Sequence, residues 1–440
     1  MPRLDEFVGL VIRSGLVSGA DLDRVLSGFP RPPDSDAPVR LARSLMGDDL
    51  ITPYQARKLL AGATRGFFLG GYRILKPLGE GGMGKVYLAV REGGTERVAI
   101  KVLPPRRAQD AQAVARFLRE MDLSRRVRHP NLARTLDVGE EAGVHFMVME
   151  YIPGESLYQA VKGPRGGPLR VNDAARLFLK VCDGLEAAHE AGLVHRDVKP
   201  SNVMIAPDGS VKVLDLGLAR ASGDEPPITR PNIVVGTLDY ASPEQLVNAS
   251  SADRRSDLYS LGCTLYFTLA GRAPFEGGDI VNKIFKQRMD DPEPLERVAK
   301  GVPAAFAAII RKLMTKDPAD RYQTCAELRT DLARWTDPRK TLGLLGQNAE
   351  AARAYRPPAP QIEENDLRVF DDESGGSLRD FGSAEPAPAP RRKVNSATVS
   401  AVVLPSGGRV VKGESRWLSH VIALAVVLGL LAILAITLFA

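Results

Sequence analysis

Cysteine is scarce in this 440-residue chain: Cys182, Cys263 and Cys325 stand far apart, with no C-x-x-C spacing. That spacing excludes a disulfide framework or a zinc ribbon, and the three thiols are expected to stay reduced in buried helices. No secretory leader is expected, because Met1–Glu6 is followed only by a short apolar run interrupted by Arg13. The second helix of each helix-turn-helix outline in the first seventy positions carries few basic residues (Arg24; Arg57, Lys58) and no basic stripe for reading DNA. The formal charge is nevertheless +6, with a pI near 9.1. That balance suits nucleic acid, anionic lipid or polyphosphate equally and does not choose among them.

The chain is too long for one ordinary domain, and its composition changes along it. Residues 1–66 hold a weak repeat at an offset of 34, in which FVGLVIRSGLVSGADLDRVL aligns with LARSLMGDDLITPYQARKLL. In each copy Ser18 or Thr52 is a good N-cap, followed three residues on by Asp21 or Gln55. Pro53 takes the favoured first helical position. The pattern predicts a four-helix domain used for interaction or docking. Residues 337–417, with PPAPQIEEND and EPAPAPRRK, read as a disordered Pro/Ala/acidic tether. Residues 418–440 read as a transmembrane helix, since Val421–Ala440 has no charge or proline and would extend about 30 Å. Arg409, Lys412 and Arg416 precede it, which predicts a C-terminal anchor with the rest of the chain in the cytoplasm.

Between these segments, 72–336 changes from short alternating runs to helical periodicity after Glu150. A small antiparallel sheet followed by a larger helical body predicts an α+β fold of two lobes with a cleft between them. Near its start, LGEGGMGKVYLA matches two phosphate-binding templates in part. A P-loop needs Ser or Thr after Lys85, where Val86 stands; a Rossmann turn needs a helix at Gly84, where KVYLAV is strand-like. A glycine-rich hairpin, G-x-G-x-x-G-x-V, fits instead, with backbone N–H groups folded onto the phosphates of ATP.

Further motifs follow in order: VAIK at Val98–Lys101, RFLREM around Glu120, HRDVKPSN at His195–Asn202, DLG at Asp215–Gly217 and SPE at Ser242–Glu244. On these residues the segment from Tyr72 to about Trp335 resembles the eukaryotic-like (Hanks-type) serine/threonine protein kinases, most of all bacterial membrane-anchored ones. The resemblance implies the two-lobed kinase fold, ATP and Mg²⁺, and protein substrates with Ser or Thr acceptors. It implies that Lys101 holds the α- and β-phosphates and pairs with Glu120, that Asp197 accepts the hydroxyl proton, and that Lys199 neutralises the γ-phosphate. Asn202 and Asp215 would hold the metal. Gly79, Glu80, Gly81, Gly82, Met83, Gly84 and Lys85 would form the covering loop, with Lys85 pointing to solvent. Leu78, Val86, Ala99 and Met204 would wall the adenine, Met149 would back it, and the backbones of Glu150 and Ile152 would bond it.

By the same resemblance Thr237 would bridge Asp197 and Lys199, Asp257 would brace the loop, and Glu244 would pair with Arg321. Arg196, beside Asp197, needs an anion to pair with, and Thr229 is the expected autophosphorylation site among Ser222, Thr229 and Thr237. A homodimer for that autophosphorylation is one arrangement the resemblance allows. Leu216 and Ser242 depart from the usual Phe and Ala of the family. The rival reading is a membrane-tethered pseudokinase scaffold, which usually loses one of Lys101, Glu120, Asp197, Asn202 or Asp215; all five are present. A small-molecule kinase is disfavoured by Lys199, Thr237 and SPE, and no nucleic-acid partner is expected.

Overall fold

The second and fourth N-terminal helices start where their capping residues, Ser18 and Thr52, stand. The computed structural model describes residues 2–30, 36–81, 84–103, 121, 124–216 and 238–336. Helices α1 (Leu4–Ser14), α2 (Gly19–Ser27), α3 (Ala37–Gly47) and α4 (Pro53–Leu60) form two pairs. Ser18 Oγ accepts from Asp21 N at 3.1 Å, and Thr52 Oγ1 accepts from Gln55 N at 3.2 Å. Gln55 Oε1 returns the bond to Thr52 N at 2.8 Å, closing a capping box. The four helices share a core of Phe7, Val11, Leu41, Leu45, Ala56 and Leu59, each fully buried. At about 1.5–3 kcal/mol for each large apolar side chain, this core offsets much of the cost of ordering four short helices.

The chain then enters a six-stranded antiparallel sheet: β1 (Phe68–Leu69), β2 (Tyr72–Gly81), β3 (Gly84–Arg91), β4 (Arg97–Val102), β5 (Thr135–Glu141) and β6 (Val144–Glu150), ordered β1-β2-β3-β4-β6-β5. Period-two alternation in β4 sends Val98, Ile100 and Val102 into the sheet core. Its alternate residues, Ala99 and Lys101, therefore face the other way. β2, β3, β4 and β6 answer the sequence patterns; β1 and β5 were not anticipated. β1 is only two residues long, and β5 (TLDVGEE) is half-exposed and too polar to signal itself.

The helical lobe is built on α6 (Val171–Glu190), which follows β7 (Glu155–Ser156) and the short α5 (Leu157–Lys162). α7 (Pro243–Val247) precedes α8 (Arg254–Ala270), followed by α9 (Ile280–Met289), α10 (Leu295–Val298), α11 (Ala304–Leu313) and α12 (Cys325–Ala333). Helix α8 is buried along almost its whole length, so its sequence has no polar face to betray its orientation. It lies so close to α11 that a Cβ on Gly262 would sit 2.7 Å from the Leu313 side chain. β7 pairs with β8 (Val203–Ile205), and β8 with β9 (Val211–Val213). Those two hairpin strands carry the loops that face the cleft. All three cysteines are buried, free and helical, as expected. Among the described residues no helix is long and apolar enough to cross a membrane. The tether at 337–417 and the span at 418–440 lie outside the described residues.

Candidate active site

The HRDVKPSN loop leaves α6 and is held from beneath by one carboxylate. Asp257, fully buried near the start of α8, accepts His195 N at 2.8 Å and Arg196 N at 2.7 Å. Its Oδ2 also lies 2.7 Å from His189 Nε2, at the end of α6. Burial alone would lower the His189 pKa, but the hydrogen bond and charge of Asp257 outweigh it and raise it to about 10. Arg196 can then adopt the left-handed conformation (φ 64°) that a non-glycine residue keeps only when over-determined. From the other side, Gln245 Nε2 donates to Arg196 O at 3.0 Å. His195 Nε2 faces Leu214 O at 2.7 Å, so this nitrogen carries the proton and Nδ1 accepts Asp197 N at 3.2 Å.

Within this frame the polar side chains converge. Lys199 Nζ lies 2.8 Å from Asp197 Oδ2, and Asn202 Nδ2 donates to Asp197 O at 2.8 Å and to its Oδ2 at 3.1 Å. Across the cleft, Lys101 Nζ meets Asp215 Oδ1 at 2.9 Å, although Lys101 is only 4% exposed on β4. Burial would raise the Asp215 pKa, yet the charge and hydrogen bond of Lys101 hold it below the ordinary value, so the carboxylate is ionised. Asp215 is also left-handed, at φ 59°. Leu216 is buried in the core of the helical lobe.

The glycine stretch is a hairpin, as the failed P-loop and Rossmann templates required: Gly79 pairs with Val86, Glu80 with Lys85 and Gly81 with Gly84. Ala99 is buried, Val86 and Met204 are half-buried, and Leu78 is 41% exposed at the rim. Met149 packs with Leu103, Met121 and Met147 at the back. The Glu150 carboxylate is engaged by Lys212 at 3.1 Å, and Ile152 is buried beyond it. Lys85 is half-buried on β3, which runs between β2 and β4. Gly82, Met83, Glu120, Ser222, Thr229 and Thr237 lie outside the described residues.

Two supporting interactions complete the site. Arg321, 2% exposed, grips Glu244 through Nη1–Oε1 at 2.8 Å and Nη2–Oε2 at 2.9 Å, with Ser256 Oγ donating to Oε1 at 2.6 Å. Burial pushes the Glu244 pKa up, and the Arg321 and Ser256 bonds bring it down to about 2. Ser242, the departure from the usual Ala, opens α7 and donates N–H and Oγ–H to Gln245 Oε1 at 3.0 and 3.1 Å. The serine thus fixes the amide that holds Arg196. His189 and Gln245 were not picked out from the sequence; His189, six residues before His195 at a helix end, was the available signal.

Residues 72–332 match the family model described as the protein kinase domain. The chain is 39% identical over 267 residues to the serine/threonine-protein kinase PknB of Mycobacterium leprae, covering 60% of this chain and 42% of that relative. It is 36% identical over 308 residues to the probable serine/threonine-protein kinase PknB of Corynebacterium glutamicum, covering 68% of this chain and 46% of the relative. The chain therefore spans less than half the length of these curated relatives. Among solved structures, a mutant of the Mycobacterium tuberculosis PknI kinase domain is 27% identical with a TM-score of 0.50, covering 62% of this chain and 99% of that one.

Proposed function

This chain belongs to the protein kinase domain family, and from that premise we propose that it is a serine/threonine protein kinase using ATP. The observation that carries the reading is the convergence on one cleft of Asp197, Lys199 and Asn202 with the Lys101–Asp215 pair. Phosphoryl transfer asks the protein mainly for positioning and charge neutralisation, and this set supplies both. Lys101 holds the α- and β-phosphates, Gly79–Gly84 covers them, and Lys199 faces the γ-phosphate. The substrate oxygen bonds to the γ-phosphorus as the bond to the β–γ bridging oxygen breaks; ADP leaves, and the hydroxyl proton passes to Asp197.

The donor chemistry fits a hard cation. Asn202 gives its Nδ2 to Asp197, which leaves its Oδ1 as an oxygen ligand, and Asp215 is kept ionised. Asn202 and Asp215 would hold Mg²⁺, which when bound neutralises phosphate charge. Arg196 supports activation by a loop phosphate: its Nε is buried without a hydrogen-bond partner among the described residues. Thr229 is the proposed acceptor, with a second copy of the chain as first substrate. The charge-free run Val421–Ala440 supports a membrane anchor with the kinase in the cytoplasm; alkaline extraction that releases the full chain from membranes would remove that part. Nothing favours the pseudokinase reading, since no residue of the set has been lost.

The test is incubation of the full chain with γ-labelled ATP and Mg²⁺ beside Asp197→Asn. Label transfer should fall by about 10²–10⁴ in the variant, and mass spectrometry should find phosphate on Thr229. Equal labelling in both proteins, or none in either, defeats the kinase reading; active protein with Thr229 unmodified defeats only the choice of site.

A further inference from the structure

The joint between the N-terminal helices and the sheet lies on the strand that carries the glycines. β2 pairs in register with β3 as far as Ile74 and Ala89, then slips, resuming at Lys76 and Leu88 and leaving Leu75 out of the ladder. Two successive carbonyls at this bulge are taken by one helix. Gln55 Nε2 donates to Ile74 O at 2.6 Å, and Thr52 Oγ1 donates to Leu75 O at 2.6 Å. Neither donor is free to wander. Both belong to the capping box that starts α4, and Gln55 is 1% exposed.

The joint is reinforced on either side of that clamp. Ile74 N donates to Phe67 O at 2.8 Å. Phe67 is buried in the helical core, while Leu69, two residues on, is buried in the sheet core. Tyr54 of α4 packs against the sheet core, and burial pushes its phenol up to about 12. Beyond the clamp, β2 slips again between Pro77 and Gly79 and then delivers Gly79 to its place opposite Val86. The course of the glycine strand is thus set against a helix outside the kinase lobes.

We infer that Thr52 and Gln55 are positioning residues for nucleotide binding, so that the N-terminal domain sets how tightly β2 closes over ATP. The inference rests on the kinase reading above. A carbonyl left without its donor at a bulge lets the strand shift, and the shift is felt where backbone N–H groups must meet phosphate oxygens. A docking surface of purely structural use would stabilise the fold and leave nucleotide affinity alone.

Gln55→Glu separates the two roles. A glutamate keeps the acceptor that closes the capping box but has no amide to give Ile74 O. In the full chain, the KM for ATP and the directly measured affinity for a non-hydrolysable ATP analogue should weaken about three- to thirtyfold, with kcat within about twofold. Thr52→Val should do the same to a lesser degree, and Thr52→Ser should restore wild-type values. Arg24→Ala, which breaks the Arg24–Asp21 and Arg24–Asp48 pairs inside the helical domain, should leave the KM unchanged. Wild-type affinity in a folded Gln55→Glu, or loss of folding in both Gln55→Glu and Thr52→Val, overturns the inference and leaves the kinase reading standing. A wild-type chain that binds no nucleotide overturns both.

Discussion

Around His195–Asp197 the backbone is fixed by charge buried in the helical lobe. Asp257 takes two backbone N–H groups and faces the His189 ring, all on elements packed into one core. Around the glycine hairpin the means are neutral and come from outside. Two side chains of α4 hold two carbonyls of β2, and the strand beyond them runs out with Leu78 41% exposed and open space beside Gly79. The difference separates two tasks. The groups that handle the proton and the phosphate must be held in a single geometry, whereas a cover must admit and release its ligand, and weaker neutral bonds suit that. A strained φ of 64° at Arg196 survives because its carboxylate anchor over-determines it.

The sharpest way to break this contrast is to remove the buried charge. Asp257→Ala should cost about 3–5 kcal/mol, because it strands two buried N–H groups and the His189 charge, and phosphotransfer should vanish with it. Chemical denaturation of variant and wild type would measure this. A loss under about 1 kcal/mol would mean the loop is held by Gln245 and Asn202 instead.

A subtler probe is pH. His189 faces Asp257 on α8 and Cys325 on α12, with Glu186 on its own helix. Its folded pKa of about 10 lies above its ordinary 6.5. The folded state therefore holds the proton more tightly, and the contribution is complete below pH 6.5 and lost as pH rises through about 10. Wild type should lose Tm between pH 6.5 and 10, each ~1 kcal/mol lowering it by about 2–4 °C for a body of this size, and His189→Gln should show a flatter profile. Parallel profiles would place the charge elsewhere.

The smallest effect sharpens the other side. Ser18→Ala removes the N-cap of α2, at a cost of about 1 kcal/mol. It touches neither α4 nor β2, so nucleotide affinity should not change; a weaker affinity would show that the whole helical domain, rather than the Thr52–Gln55 clamp, governs the strand.

How much of this could be read in advance follows from how many demands a residue must meet. Lys101, Asp197, Asn202 and Asp215 were legible because the chemistry dictates their side-chain types and the motifs fix their spacing. Ser18 and Thr52 were legible because capping is local. Gln55 was legible as a capping residue, and that local explanation concealed its second bond to Ile74 O, which depends on a strand brought alongside by tertiary folding. His189 looked like any polar residue at a helix end until Asp257, far away in sequence, was placed against it. Helix α8 has no polar stripe to reveal its faces.

The two-residue strand β1 bears on where this protein can be cut. The kinase match begins at residue 72, just after β1. A chain starting at Tyr72 would lose the partners of Arg73 and Tyr72, together with the Phe67 carbonyl that takes Ile74 N. β2 would then present an unprotected edge, with Ile74 and Leu75 beside it, to any other copy. Light scattering should find the shortened protein self-associating at concentrations where the chain from Met1 remains dispersed.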